Sequence, residues 1–529
     1  MKNTIALLIS LFAVLSTAQG QVSVALDGQV QVDATSTNGV VIKKDFYGAD
    51  TNGFAKLPAS EHVTPLHLGY VKFGGNLHSV FNWELNRYID SKGRIHEIES
   101  AFDARISFAK NSYGVAPMVQ VNMLGWQPDY NSDGTIIGME SATAAHAAAQ
   151  VKYLNGTRGL GIKNIVMGNE PFDADLTHKM AIPSADEYIA KYIQYAVALR
   201  DAQTSVSGNP NDVKLWGPEI ATGWTGWQTN HPSDCVKAPV PGGVTCSYGN
   251  GQFSEFVPYF LYKISEFENS KTLNPKGYKL LDVLTWHYYP LFRNQFSDKN
   301  SIIKNPAGAQ NVAGMLESVN LWTDVGYINK YDSASPKNVA PGIVAKYQAW
   351  KNAYYPTAKL AVTEFGIDSV NDIAYHPIVR PLYLADLIAR IGEAGVNTFV
   401  NSFLQGFHDK DSWGMINAGK TTHLHRIFSL YSNNYLGQVV QSNDNYGDKV
   451  NVYSVKTAQG TNVFLVNKDT TAHTPAINLV TRSGQRSLAL NLPAWSLTVA
   501  KIPDNGGAPT LQTFGAAEMQ IPVPTEHGN

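Results

Sequence analysis

Eight short apolar runs, separated by longer stretches of helical character, constrain this chain more than any other feature. They occupy residues 45–49, 70–73, 116–123, 164–167, 214–216, 281–286, 359–363 and 397–403. Between them lie helical candidates at 101–112, 142–160, 185–203, 253–266, 344–355 and 381–394. Short runs apolar throughout suit strands buried on both faces, and alternation with helices suits parallel pairing. The expected fold class is α/β, a (β/α)8 TIM barrel over residues 45–432 with long loop insertions. The rival is an open doubly wound sheet, but no Gly-x-Gly-x-x-Gly turn follows an early run.

The flanks read differently. Gln29–Val32 alternates polar and apolar residues, and Val40-Val41-Ile42 is β-branched. From Gly437 to Pro503, five strand-like runs are divided by Gly, Asn, Asp and Ser. Residues 21–44 and 433–503 are therefore expected to build a second, smaller β-sandwich domain from both chain ends. Residues 504–529, rich in Pro, Gly and polar side chains, read as a disordered tail.

Residues 1–20 carry Lys2, an apolar run from Ile5 to Leu15 and a small-residue segment ending in Ala18-Gln19-Gly20. This is the pattern of a cleaved signal peptide; the run is too short for a bilayer-spanning helix. A secreted protein, extracellular or periplasmic, is expected. The only two cysteines, Cys235 and Cys246, flank a Pro/Gly-rich loop and are expected to pair as a disulfide. Asn155-Gly156-Thr157 matches a glycosylation acceptor.

Charged residues make up 16% of the chain, against roughly 25% in typical soluble proteins, and the formal net charge is −2. No basic excess points to nucleic acid or anionic membrane. With 11% aromatic residues, the composition suits a neutral polar partner such as a sugar, and the expected assembly is a monomer.

Two glutamates stand just past the ends of apolar runs, in Val166-Met-Gly-Asn-Glu170-Pro and Leu360-Ala-Val-Thr-Glu364-Phe-Gly. On a barrel these are strands four and seven, whose C-terminal ends face one cleft. Two facing carboxylates suit glycoside hydrolysis: one stays protonated to serve the leaving oxygen, the other ionised to attack the anomeric carbon or activate water. Asn169 is placed to bond a sugar 2-hydroxyl. A lone Glu after an apolar run is ordinarily a solvated loop residue or a helix first-turn acid; Asn-Glu-Pro paired with a second strand-end Glu is far more specific.

With these motifs the sequence resembles the (β/α)8 retaining glycoside hydrolases, and within them glycoside hydrolase family 44, whose members act as endo-β-1,4-glucanases and xyloglucanases. The resemblance rests on Phe73-Gly-Gly-Asn76, Phe81-Asn-Trp-Glu-Leu-Asn86, Met167-Gly-Asn-Glu-Pro171 with Thr177-His178, Trp216-Gly-Pro218, Asp282-Val-Leu-Thr-Trp-His287-Tyr-Tyr289-Pro290 and Thr363-Glu364. It implies Glu170 as general acid/base and Glu364 as nucleophile, with His287 or Tyr289 orienting Glu364. The chain departs from the family pattern at Phe365-Gly366, where Tyr-Asn is expected. It also lacks a Trp in Asn401–Gly406, with Trp413 as the nearby substitute.

Substrate-binding candidates are Asn169, Asn76, Trp126, His287, Tyr289 and Trp413; Trp224, Trp227 and Trp286 are further platforms on which sugars could stack. Each Trp has the alternative of packing in the core. No cofactor is required. Asp129, Asn131 and Asp133 could hold a structural Ca²⁺, though a solvated turn is the usual reading of such a loop. His423 and His425, at i and i+2, would share a strand face as zinc ligands but lack a third. The same barrel could instead act on mannan or xylan, or bind carbohydrate without cleaving it.

Overall fold

The computed structural model describes residues 26–51, 53–90, 93–123, 125–130, 136–171, 183–221, 231–237, 244–290, 309–327, 342–367, 377–406 and 414–519. Residues 1–20, read from the sequence as a signal peptide, lie outside them. The described chain begins with a long strand, β1 (Gly28–Ile42). The closed barrel follows: β2 (Tyr47–Asp50), β3 (Tyr70–Phe73), β4 (Ala116–Val121), β5 (Asn164–Met167), β6 (Lys214–Ala221), β7 (Val283–Tyr288), β8 (Lys359–Phe365) and β9 (Thr398–Asn401). All neighbours are parallel, and β9 returns to pair with β2. Each strand falls on one of the eight apolar runs. Four continue further than hydrophobicity suggests, β2 to Asp50, β6 to Ala221, β7 to Tyr288 and β8 to Phe365. Those extensions carry Asp50, Glu219, His287 and Glu364.

Period-two alternation explains how apolar strands present a polar mouth. Along β7, Leu284, Trp286 and Tyr288 belong to the large core cluster, whereas Val283 belongs to a small separate one. Outside the barrel, Trp286 stacks on Tyr347 of the helix Ile343–Tyr354 at 4.2 Å between centroids. It is therefore core and no sugar platform. Inside, Met118, Val166, Trp216, Val283, Ala361 and Val400 fill the lower barrel. Two residues further along the same inward faces stand Gln120, Thr285 and Thr363, and above Thr285 comes His287. The barrel interior thus turns from apolar to polar toward its C-terminal end.

The outer helices sit close to their expected spans. The helix Ala185–Ser207 starts with a capping box, in which Ser184 and Glu187 satisfy each other's backbone amides, and stops at Gly208 in a left-handed conformation. Such a cap contributes about 1 kcal/mol. The helix Val379–Glu393 is buried along most of its length because it packs between the barrel and the second domain.

The strands of that domain are hydrogen-bonded into one eight-stranded sheet with a core of its own. Its strands are β1, β10 (Gly437–Asp444), β11 (Val450–Lys456), β12 (Gly460–Asn467), β13 (Pro475–Thr481), β14 (Gly484–Ala489), β15 (Ser496–Pro503) and β16 (Thr510–Phe514). The spatial order is β14-β13-β1-β10-β11-β12-β15-β16. Both chain ends contribute, as expected. The two runs in residues 21–44 form a single strand, which slips register against β10 between Asp33 and Thr37 and again before Val41. Alternation again sorts the faces: Tyr453, Val455, Phe464, Val466, Leu497 and Val499 join the barrel core, while Val452, Val463, Leu465, Ala500 and Ile502 form a core of their own. The reading of residues 504–529 as a disordered tail is corrected in part. β16 pairs along β15 and is followed by the short helix Ala516–Met519, whose Met519 is buried; residues 520–529 lie outside the described chain.

Cys235 and Cys246 form the expected disulfide, opposite each other across the hairpin of Cys235–Lys237 and Val244–Cys246. Asn155 uses both ends of its amide inside the fold. Its nitrogen donates to the Ile162 carbonyl and Gln203 Oε1, and its oxygen accepts from the Ile162 amide. It is held as a structural bracket.

Candidate active site

Glu170 and Glu364 meet at the C-terminal mouth of the barrel. β5 ends at Met167; Gly168 then turns with φ 76°, and Glu170 itself sits at φ 38°, a conformation most side chains avoid. Its amide donates to the Glu219 carbonyl on β6 at 2.9 Å, which fixes the turn. Glu364 lies within β8, where the register against β7 slips between Trp286 and His287, bringing Glu364 level with His287. A carboxylate oxygen of each glutamate and a ring nitrogen of His287 all lie within 4.8 Å of one another.

The partners of the two carboxylates differ, and so do their acidities. Tyr289 donates to Glu364 Oε2 at 2.6 Å and Lys72 to Glu364 Oε1 at 2.8 Å. Burial raises the Glu364 pKa, but the charges of His287 and Lys72 and these hydrogen bonds outweigh it and hold the carboxyl below its ordinary value. Among the described residues, Glu170 has one charged hydrogen-bond partner, the His287 ring Nδ1 at 2.9 Å from Oε1. Burial, reinforced by the Glu364 charge, wins over His287 and raises its pKa. One carboxyl is thus poised to carry a proton and the other to be an anion.

His287 was expected to touch substrate, but its side chain is fully buried. Nδ1 lies 2.9 Å from Glu170 and 3.4 Å from Glu364, and Nε2 lies 2.8 Å from Glu219. Its place is among carboxylates, which push its pKa up to about 10 against the effect of burial. Tyr289 is half-buried and orients Glu364, also reaching Ser402 Oγ at 3.5 Å. Asn169 donates to Asn76 Oδ1 at 2.7 Å. Asn76 therefore braces the segment that carries Glu170. Asn169 Oδ1 is buried without a hydrogen-bond partner among the described residues.

Phe365 turns outward against Tyr383, Phe399 and Trp322. At Gly366 a Cβ would crowd the Ser402 carbonyl and the Tyr289 ring, at 3.2 and 3.3 Å. These packing constraints account for Phe-Gly at this point. Trp126 begins the strand Trp126–Tyr130, whose side chains, Asp129 included, fall outside the described set, as do Asn131, Asp133, Thr177, His178, Trp224, Trp227 and Trp413. His423 and His425 open a helix, His423–Asn434, so i and i+2 diverge; His425 Nε2 meets the His62 carbonyl at 2.7 Å. The shared strand face expected of them is not there.

Comparison with known proteins places this arrangement. The model of glycoside hydrolase family 44 matches residues 109–291, which include Glu170, Glu219, His287 and Tyr289. Over that stretch the chain is similar to glycoside hydrolase family 44. Endoglucanase A of Paenibacillus lautus is 25% identical over 357 residues, 63% of this chain; the chain spans 42% of that relative's length. A bifunctional glucanase-xylanase from a metagenome library shares the fold with a TM-score of 0.64 and 18% identity, covering 90% of this chain and 99% of its own. A Paenibacillus polymyxa family 44 xyloglucanase, solved with xyloglucan, shares it with a TM-score of 0.64 and 14% identity over 92% and 97%.

Sequence reasoning missed Lys72 and Glu219. Both are completely buried, and Lys72 Nζ lies 2.8 Å from Glu219 Oε2 and from Glu364 Oε1. The signals were there: a lysine inside the apolar run Tyr-Val-Lys72-Phe, and a glutamate directly after Gly217-Pro218.

Proposed function

We propose that the chain is a secreted, monomeric retaining hydrolase that cleaves internal β-1,4 bonds of a glucan of the cellulose or xyloglucan type, with Glu170 as acid/base and Glu364 as nucleophile. The observation that carries the mechanism is the approach of the two carboxylates within 4.8 Å. A separation of about 5–5.5 Å leaves no room for a water between nucleophile and sugar and so favours direct attack. Glu364, held anionic and oriented by Tyr289 and Lys72, attacks the anomeric carbon while Glu170 protonates the departing oxygen. His287 Nδ1–H occupies Glu170 Oε1 and leaves Oε2 to carry that proton. When Glu170 becomes an anion, the adjacent imidazolium stabilises it, and it then removes a proton from the water that releases the glycosyl-enzyme. Both steps use only carboxylates and water.

The substrate reading is supported by the endoglucanase and xyloglucanase relatives, and export by the N-terminal signal pattern. Because a similar structure belongs to a glucanase-xylanase, xylan belongs in the test. Purified protein incubated with xyloglucan, carboxymethylcellulose, mannan and xylan should release a spread of oligosaccharides from the first two at early times. Cleavage of mannan or xylan alone would overturn the substrate and keep the mechanism. Binding without release from any of them would make the barrel a carbohydrate-binding protein.

A further inference from the structure

The active-site carboxylates rest on a buried ionic layer that reaches beyond the Lys72–Glu364 contact and in which Glu219 has no step of its own in the two-glutamate mechanism. Lys72, on β3, projects into the barrel beneath Glu364. Its Nζ lies 2.8 Å from Glu364 Oε1, 2.8 Å from Glu219 Oε2 and 3.7 Å from Asp50 Oδ2. Glu219 Oε2 also faces His287 Nε2 at 2.8 Å, and its Oε1 accepts from Thr363 Oγ1 at 2.8 Å. Its backbone is equally committed: the carbonyl holds the Glu170 amide, and the Glu219 amide donates to Thr285 Oγ1 at 3.0 Å. Glu219 adopts φ 56°, the second non-glycine residue of the site in the left-handed region. One residue therefore touches Glu170 through its backbone and Glu364 through Lys72.

Such a layer is a poor device for stability. Removing several charges from water costs more than their mutual attraction commonly returns, and apolar replacements of similar volume are often as stable or better. Strained backbone and buried charge coinciding beneath a reaction centre point to a role in the reaction.

We propose that Lys72 and Glu219 are positioning residues of the hydrolysis: from beneath the reacting groups they fix His287 and Glu364 in orientation and charge, so that the proton of the carboxylate pair resides on Glu170. The inference rests on the two-glutamate reading above. Neither residue touches substrate, since both are fully buried. Among the described residues, the charged and titratable groups facing the layer are Asp50 from β2, His78 after β3, Glu170 after β5, His287 from β7, Tyr289 beyond it, Glu364 from β8, and Tyr188 and Tyr192 from the helix packed behind β6. The sign for Lys72 follows directly. Its cation favours the Glu364 anion, so its loss moves the ionisation of Glu364 to higher pH.

The test is the pH profile of glucan cleavage by wild type, Lys72→Met, Lys72→Arg and the double variant Lys72→Met/Glu219→Gln, which removes one charge of each sign and keeps a folded comparison available. The proposal predicts that Lys72→Met and the double variant lose at least about 100-fold in kcat with KM within about threefold. The acidic limb of kcat/KM should move up by one pH unit or more, and Lys72→Arg should restore part of both. A folded variant with the wild-type limb, or a loss confined to KM, overturns it. The wild type gives an independent reading: its inactivation by an activated 2-fluoro glycoside should fall off only below the ordinary glutamate range, and a fall-off at or above that range also overturns the proposal. If wild type cleaves no glucan, it is the underlying functional reading that fails.

Discussion

Glu364→Gln is expected to leave a folded protein whose turnover of β-1,4-glucan is lower by at least about 10⁴-fold. The amide is isosteric and can still accept from Tyr289 or Lys72, so the fold has little reason to respond. What disappears is the anion that attacks carbon. Glu170→Gln behaves differently, because general acid help matters in proportion to how poor the leaving group is. On polysaccharide it should cost about 10²–10⁴-fold. On an aryl glycoside with an activated leaving group, the first step should be nearly spared and a glycosyl-enzyme should accumulate. Added azide should then restore release for Glu170→Gln, giving a β-glycosyl azide, and should do nothing of the kind for Glu364→Gln. Comparable activity of either variant and wild type on polysaccharide would remove the assignment.

The second large effect is expected far from the chemistry. Asp386, fully buried on the helix between the two domains, accepts from Asn451 Nδ2 at 2.8 Å on each oxygen, from Lys468 Nζ at 2.7 Å and from the Tyr453 hydroxyl. Arg390 lies 3.6 Å away on the same helix. Asp386→Ala leaves Lys468 as an uncompensated buried cation and should cost about 3–5 kcal/mol. Because the helix belongs to the barrel and its partners to the sheet, urea unfolding should split from one transition toward two. The pH dependence has a definite sign. Burial raises the Asp386 pKa, but Lys468 and Arg390 outweigh it and lower it to about 2 from 3.8. Its contribution is therefore complete above about pH 4 and is lost as pH falls toward 2. A variant that melts as one unit at the wild-type denaturant concentration would show that this network does not join the domains.

The barrel was readable because its signal is simple. A strand buried on both faces must be apolar, and eight such runs between helices have few other solutions. Glu170 and Glu364 were readable for the same reason, as charges that break an apolar run where a barrel opens. Lys72 and Glu219 escaped because each is a single residue within or just beyond a run, and only the closed barrel brings β3, β6, β7 and β8 to one point. Hydrophobicity ended β6 at Trp216, three residues short of Glu219. His287 was read both as a substrate contact and as an orienter of Glu364; its motif marks a strand end, and only the alternation along β7 shows that the ring points into the barrel, among Glu170, Glu219 and Glu364. β16 was hidden by composition, since Thr-Leu-Gln-Thr-Phe at a sheet edge need not be apolar and its pairing partner alone makes it a strand.

The most direct test of the two-glutamate account is the anomeric configuration of the sugar first released. Proton NMR of the reducing end, followed from the first minutes of cleavage of a β-1,4-gluco-oligosaccharide, reports it before mutarotation blurs the signal. The account predicts β-anomer first, with α appearing only afterwards. If α-anomer appears first, water attacks the anomeric carbon directly, and Glu364 is a base and no nucleophile.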